Sequence, residues 1–93
     1  MNYSLRFKHE ALKEWRKLDY SIKSQFKKKL KERLQNPSIP ADKLSGRKNR
    51  YKIKLRTAGY RLVYEVRKSA LIIVVIAVGK REKNSIYKMS ETR

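Results

Sequence analysis

The chain has 93 residues, enough for one modest hydrophobic core, and we expect a single domain over residues 1–93. Lys and Arg number 26 against 8 Asp and Glu, so the formal net charge is +18, and we expect a polyanionic partner, above all nucleic acid, to neutralise it. With no Cys and only one His, the chain lacks disulfides, soft metal sites and any Cys–His or His–His catalytic pair, so neither a metal nor a cofactor is expected.

The first part of the chain predicts one strand and two helices. Alternation of apolar and polar residues predicts a strand over residues 2–8. Apolar side chains at helical spacing then predict helices at about 9–18 and 20–35. Asn36-Pro37 ends the second helix, and a loop follows up to residue 49.

The charged side chains of these helices are interpreted as solvated. His9 begins the first helix and is expected to be an exposed structural residue. Glu10 and Glu14 each have a lysine three residues on, which indicates an exposed ion-pair face rather than a metal site. The second helix carries cations that form a solvated or RNA-facing surface: Lys23, Lys27, Lys28, Lys29, Lys31 and Arg33.

Three strands are predicted in the second half, at about 50–56, 59–67 and 70–79. Gly59 is expected to supply positive φ in the first turn, and Gly79 to end the last strand. The last strand is apolar on both faces, so it should be central and covered on both sides. Its apolar run is far shorter than the ~20 residues that span a bilayer.

These elements follow the order β-α-α-β-β-β, with a tail that forms a short helix or a frayed end. The order predicts an α+β domain in which the two N-terminal helices pack on one face of a small, antiparallel-rich sheet. The N-terminal residues include no apolar signal segment, so a cytoplasmic protein with no membrane partner is expected.

The stretch YKIKLRTAGYRLVYEV, residues 51–66, is predicted to form a hairpin with cations on one face and a core-facing set of tyrosines on the other. If the hairpin closes on Leu55 and Tyr60, Lys54 lies directly opposite Arg61. Like charges across a strand pair destabilise a sheet, so their placement indicates a bound anion. The pattern alone leaves open phosphate binding with chemistry, phosphate binding without chemistry, and no role. By itself, Tyr87 is no more than an exposed aromatic.

This hairpin, followed by VGKRE at residues 78–82 and by Tyr87, resembles the RelE toxins of bacterial toxin–antitoxin modules. The stretches ALKEWRKL (11–18) and DKLSG (42–46) are similar to the same family, so the resemblance covers nearly the whole chain. It implies a small sheet with two helices packed on it. It also implies cleavage of mRNA in the ribosomal A site, and inhibition by an antitoxin that wraps the toxin.

The resemblance implies five catalytic positions: Lys52, Lys54, Arg61, Arg81 and Tyr87. Further cations are interpreted as RNA-binding residues: Arg56, Lys80, Lys27, Lys28 and Lys31. In the implied mechanism the RNA 2′-hydroxyl attacks the adjacent phosphate, and Lys54 is the candidate base with Tyr87 as its rival. Lys52 and Arg61 stabilise charge, Arg81 lies at the leaving oxygen, and Tyr87 stacks on a base.

The implied partners are the 70S ribosome with its mRNA and rRNA, and a RelB-like antitoxin with an acidic segment. The resemblance also leaves room for the toxin–antitoxin complex to bind operator DNA through the antitoxin. Two other functions stay open on the sequence: a gyrase-inhibiting toxin of the related ParE type, and a basic RNA-binding domain without catalysis.

Overall fold

The structure is a computed structural model that describes residues 2–46, 49–82 and 85–93. Its first elements are strand β1 (Ser4–Phe7), helices α1 (His9–Arg16) and α2 (Tyr20–Gln35), and a 3₁₀ turn (Pro40–Asp42). Strands β2 (Arg50–Leu55), β3 (Tyr60–Arg67) and β4 (Ile72–Lys80) and helix α3 (Ser85–Glu91) follow. The predicted α+β class and element order are confirmed, and the predicted tail is a helix.

The four strands form one sheet in the order β1-β4-β3-β2. β1 pairs parallel with β4, whereas the β4–β3 and β3–β2 pairs are antiparallel, so the sheet is mixed and rich in antiparallel pairs. β4 is central, as its apolar character on both faces predicts. It runs one residue past Gly79, because Lys80 still pairs with Tyr60 of β3.

Helices α1 and α2 pack on one face of the sheet and form the larger core. Ile22, Phe26 and Leu30 recur every four residues on α2, and all three are buried. Trp15 of α1 lies between Phe7 of β1 and Phe26, with ring centroids 5.3 and 6.3 Å apart. Burying each such side chain stabilises the fold by about 1.5–3 kcal/mol, so this packing holds both helices to the sheet.

Helix α3 covers the opposite face, where a smaller apolar cluster surrounds Ile86. Ile86 approaches β4 very closely at Gly79, since a Cβ built there would lie 2.8 Å from Ile86 Cδ1. Any larger residue at position 79 would require Ile86 to shift. Gly79 therefore sets how closely α3 packs on the sheet.

A β-bulge in β4 decides which of its side chains face α3. The register between β3 and β4 shifts by one residue, which leaves Ile76 as the extra residue. Val75 before the bulge and Val78 after it both pack on the side of α1 and α2, although they are three positions apart. Strict alternation would reverse their faces, so the bulge turns Gly79 and Arg81 toward α3.

The interpretation of Arg33 as a solvated cation is wrong. Its Nη2 lies 2.6 Å from Asp42 Oδ2, and its Nη1 donates to the Tyr64 hydroxyl at 2.8 Å. The Tyr64 hydroxyl in turn donates to the main-chain oxygen of Pro37 at 2.6 Å. The loop after α2 folds back over the helix end, so these contacts tie the loop to the buried Tyr64, which stacks on Tyr51 as a core residue.

The interpretation of Glu14 as part of a solvated face is also wrong, whereas Glu10 and His9 are exposed as predicted. Glu14 pairs with Arg93, with Nη1 of Arg93 2.8 Å from Oε1. The same Oε1 accepts from the main-chain N–H of Val78 at 3.2 Å. Because β1 ends opposite Val75, the edge of β4 beyond that point lacks a strand partner, and α1 supplies the acceptor instead.

Candidate active site

The register of the β2–β3 hairpin brings two cations together. Lys54 lies directly opposite Arg61, and Leu55 and Tyr60 form the closing pair, as predicted. Gly59 has φ +72°, a left-handed conformation that favours glycine, so the predicted role of Gly59 in the turn is confirmed.

Arg61 occupies the middle of the cationic face and is buried, with 7 % of its surface exposed. On its β4 side it lies opposite Gly79. Nη1 of Arg61 donates to the main-chain oxygen of Tyr60 at 2.9 Å. Within the described ranges, none of the ion pairs involves Arg61, Lys54 or Arg81. A buried guanidinium without a carboxylate partner is costly, so the position favours an external anion.

Arg81 reaches the same site from the end of β4. Its main-chain N–H donates to the carbonyl oxygen of Gly59 at 2.7 Å, which ties it to the hairpin turn. The side chain is exposed and lies on the α3 face because of the bulge. One cavity of about 90 Å³ connects these groups and is lined by Lys54, Arg61, Arg81, Glu82, Ser85, Ile86 and Tyr87. One water needs about 10–15 Å³ of such space, so the cavity has room for a phosphate oxygen or several waters.

Tyr87 differs from its predicted state as an exposed aromatic. It lies on α3, partly buried against the smaller apolar cluster. Its hydroxyl is buried and has no hydrogen-bond partner among the residues that the structure describes. An unpaired buried hydroxyl costs about 1–3 kcal/mol, and a ligand oxygen in the adjoining cavity would satisfy it.

The cations around the cavity change the protonation of Lys54. The neighbouring charge of Lys52 is the main cause that lowers the pKa of Lys54 below its ordinary value, and desolvation adds to this effect. Three guanidinium groups lower it further: Arg56, Arg61 and Arg81. Lys54 therefore loses its proton more readily than a free lysine.

Lys52 does not line the cavity that Lys54, Arg61 and Arg81 share. It borders a second, larger cavity of about 420 Å³ on the other side of Tyr87. This second cavity is lined by Lys43, Leu44, Ser45, Lys52, Tyr87, Lys88, Ser90 and Glu91. Tyr87 lines both cavities, and four of the five predicted catalytic residues meet in the smaller one.

The remaining predicted RNA-binding residues lie in two different places. Arg56 is exposed in the hairpin turn, close enough to Lys54 to influence its pKa. Lys80 is exposed at the end of β4, on the opposite face from Arg81. The α2 lysines are exposed on the far side of the sheet from the cavity: Lys27, Lys28 and Lys31. These lysines therefore do not reach a phosphate that is bound in the cavity.

Several residues of the site are not predicted from the sequence. Ser85 and Ile86 line the cavity because α3 docks on the sheet, and Glu82 places a carboxylate beside the cations. The one signal in the sequence is Gly79, a glycine inside an otherwise apolar strand, which is typical of a close approach by another segment. The i, i+3 spacing of Ile86 and Met89 in the tail is consistent with a short helix, but it does not indicate where that helix docks.

The polar side chains that line the cavity are three cations, the Tyr87 phenol, the Ser85 hydroxyl and the single carboxylate of Glu82. In the described parts of the chain, no group of three or more His, Cys, Asp or Glu side chains is placed to hold a metal ion. Guanidinium and ammonium groups of this kind bind and stabilise a phosphate. The fold and site thus define a protein that acts on a phosphodiester or another polyanion.

Comparisons with known proteins agree with this class. Residues 5–85 match the family described as the ParE toxin of the type II toxin–antitoxin system parDE. The mRNA interferase toxin RelE of Escherichia coli K12 is 53 % identical over 87 residues, which cover 94 % of this chain and 92 % of that protein. The chain belongs to the RelE/ParE family of toxins from type II toxin–antitoxin systems.

Solved structures agree with this assignment. A mutant of E. coli toxin RelE in the free state superposes with a TM-score of 0.92 at 49 % identity, covering 100 % of this chain and 98 % of that one. RelE in the intact E. coli RelBE toxin–antitoxin complex gives a TM-score of 0.83 at 54 % identity, covering 86 % and 98 %. Among the helices that the structure describes, none is both long enough and apolar enough to cross a bilayer.

Proposed function

We propose that this protein, as a single RelE-like domain over residues 1–93, is the toxin of a toxin–antitoxin module. It is an endoribonuclease that cleaves mRNA in the A site of the 70S ribosome and so inhibits translation. The observation that carries the proposal is the convergence of the Lys54, Arg61, Arg81 and Tyr87 side chains on one cavity. Its similarity to the E. coli mRNA interferase toxin RelE, at 53 % identity, supports the same reaction.

The reaction begins with attack by the 2′-hydroxyl of the RNA on the adjacent phosphate, because among the described residues no Ser or Thr hydroxyl is hydrogen-bonded to a His or Lys that could activate it. The bond from phosphorus to the downstream 5′-oxygen breaks, and the products are a 2′,3′-cyclic phosphate and a 5′-hydroxyl. Arg61 and Arg81 stabilise the charge that develops on the phosphate, Arg81 next to the leaving oxygen. Arg61 is pre-organised for this role by its burial beside Gly79.

The proton of the attacking hydroxyl passes to Lys54. Its lowered pKa raises the fraction of neutral amine at ordinary pH, and Lys52 is the main cause. Lys52 also contributes charge to the phosphate-binding surface from the second cavity. The Tyr87 ring stacks on a base beside the scissile bond, and its hydroxyl contacts the phosphate across the cavity.

The partners follow from the charge and from the relatives. The ribosome provides both the mRNA substrate and rRNA for the outlying cations: Arg56, Lys80, Lys27, Lys28 and Lys31. A RelB-like antitoxin with an acidic segment inhibits the toxin, as E. coli RelE forms a complex with RelB. The protein acts in the cytoplasm, where its substrate is, and the complex with the antitoxin contacts operator DNA through the antitoxin.

Incubation with programmed ribosomes, followed by mapping of the RNA ends, tests the proposal. We expect a new 3′ end within the A-site codon, and no cut in the same RNA without ribosomes. The gyrase-inhibiting alternative predicts an intact message and accumulation of gyrase-cleaved DNA. We favour mRNA cleavage because 53 % identity with an mRNA interferase over 94 % of the chain is more specific than the family assignment.

Replacing Lys52 should change the pH dependence of cleavage. Since Lys52 is the main cause of the lowered pKa of Lys54, Lys52→Ala raises that pKa. A general base works in its deprotonated form, so the rising limb of rate against pH moves to higher pH. The rate deficit of the variant is largest at low pH and narrows as pH rises. Single-turnover rates on programmed ribosomes, measured across a range of pH, test for this shift of the rising limb.

The matched control for that experiment is Lys29→Ala, which removes the same charge from the exposed face of α2. The profile of cleavage rate against pH for Lys29→Ala should coincide with that of the unaltered protein. If Lys52→Ala lowers the plateau rate without moving the midpoint of the rising limb to higher pH, Lys54 is not the base.

The chemical step should need no divalent ion, because the cavity presents cations, a phenol and the single carboxylate of Glu82 rather than clustered carboxylates. Ribosomes themselves need magnesium, so the test replaces it with cobalt hexammine, which supplies charge but no exchangeable ligand site. We expect cleavage to continue on ribosomes that sedimentation shows to be intact. Loss of cleavage on such ribosomes contradicts this prediction.

A further inference from the structure

The end of α3 is tied to two sides of the sheet. Arg50 of β2 donates from Nη1 to the main-chain oxygen of Ser90, and an ion pair at 3.0 Å with Glu65 holds Arg50 in place. On the other side, Nη1 of Arg93 donates to the main-chain oxygen of Ile76 on β4 at 3.0 Å. Helix α3 therefore lies across the sheet with its end attached to both β2 and β4.

The attachment on the β4 side is the stronger one. Arg93 donates from both terminal nitrogens to the Glu14 carboxylate, at 2.8 and 3.1 Å. The two side chains are only 14 % and 22 % exposed, so solvent screens the pair less than a surface ion pair. Lys8 adds a hydrogen bond from Nζ to the main-chain oxygen of Arg93. A bidentate pair of this kind fixes orientation as well as position.

The same carboxylate also holds the strand that leads to the active site. Oε1 of Glu14 accepts from the main-chain N–H of Val78, two residues after the bulge at Ile76. Glu14 thus contacts the strand segment that carries Arg81 and the residue that anchors α3, which carries Tyr87. No side chain of this pair lines the cavity itself.

We propose that the Glu14–Arg93 pair positions Tyr87 over the scissile phosphate, opposite Arg81, by fixing the end of α3 against the bulged edge of β4. Both are positioning residues that never touch RNA. The inference rests on the proposed mRNA cleavage. The inference adds that turnover, and not only stability, depends on a contact between α1 and the edge of β4, outside the cationic cavity.

The first test is Arg93→Ala on programmed ribosomes. We expect kcat to fall about tenfold, because a charge-assisted pair no longer holds α3, while KM stays within twofold. The matched control is Arg16→Ala, which removes the same charge from an exposed position on α1. That control should leave kcat unchanged. Hydrogen exchange should rise in residues 85–93 of Arg93→Ala and stay unchanged in β3 and β4.

The second test asks whether Arg93 acts through Tyr87. In a Tyr87→Ala background, the further loss on adding Arg93→Ala should be at most twofold, because a misplaced helix matters little once its reacting side chain is gone. If Arg93→Ala proves unstable, Arg93→Met keeps the length of the side chain without its donors and should show the same loss.

Two outcomes overturn the inference. One is a kcat within threefold of the unaltered protein for both Arg93 variants. The other is an equal fold-loss in the presence and absence of Tyr87, which indicates a general effect on the fold. Failure of the unaltered protein to cleave mRNA at all would instead refute the proposed function, so the two failures are distinguishable.

Discussion

A message with hydrogen in place of the single 2′-hydroxyl next to the scissile bond is not cleaved at that bond. We expect the attacking oxygen to come from the RNA, because in the described part of the chain no Ser or Thr hydroxyl is hydrogen-bonded to a His or Lys side chain that could activate it. The loss of cleavage at that bond should therefore be complete rather than partial. The normal message should give a 2′,3′-cyclic phosphate and a 5′-hydroxyl, which end-specific enzymes and mass spectrometry identify.

The control is the same deoxy substitution placed one nucleotide away from the scissile bond, which should leave cleavage intact. Ribosome binding should be equal for both messages, since affinity depends on many dispersed cations. An unchanged rate on the first message would show that water is the nucleophile, and would remove Lys54 from the role assigned to it.

Replacing Arg81 with alanine lowers the rate of cleavage by about 10²–10³-fold, equivalent to about 2.7–4 kcal/mol of transition-state stabilisation. Arg81 lies at the cavity beside Lys54 and Arg61, tied to the hairpin through Gly59, and none of the ion pairs in the described part of the chain engages it. Its charge is thus available to the leaving oxygen. Single-turnover rates measure the effect of Arg81→Ala on cleavage, and equilibrium binding measures its effect on affinity for programmed ribosomes.

Arg16→Ala is the matched control, because it removes the same charge from an exposed position on α1. Arg16→Ala should show the same small loss of affinity for programmed ribosomes as Arg81→Ala, and it should retain the full rate of cleavage. If Arg81→Ala binds weakly but cleaves normally once bound, Arg81 only contributes to affinity, and the basic RNA-binding alternative gains support.

Several features of this protein can be predicted from the sequence alone, because they depend on local chemistry. The turn at Gly59 requires a left-handed residue, and that turn with its alternating flanks is sufficient to predict that Lys54 lies opposite Arg61. The charge of +18 and the lack of Cys indicate a polyanion and exclude thiol chemistry. These inferences succeed because they depend on neighbours along the chain or on composition.

The tertiary structure alone decides how the remaining groups join the site. Whether Arg81 faces Arg61 or the helices depends on the extra residue at Ile76, and a strand that is apolar on both faces contains no signal of its own register. Tyr87 becomes half-buried only because α3 docks where Gly79 leaves space. These placements depend on packing between segments that are distant in the chain.

The surroundings of two charged residues, Arg33 and Glu14, are predicted wrongly from the sequence for the same reason. Arg33 and Glu14 both have lysines nearby on their own helices, and helical spacing suggests only solvated faces. Their partners, Asp42 and Arg93, come from segments whose position no local pattern indicates. An ion pair of this kind forms only where folding brings two distant segments together in a partly buried site, so the tertiary structure, not the sequence pattern, determines it.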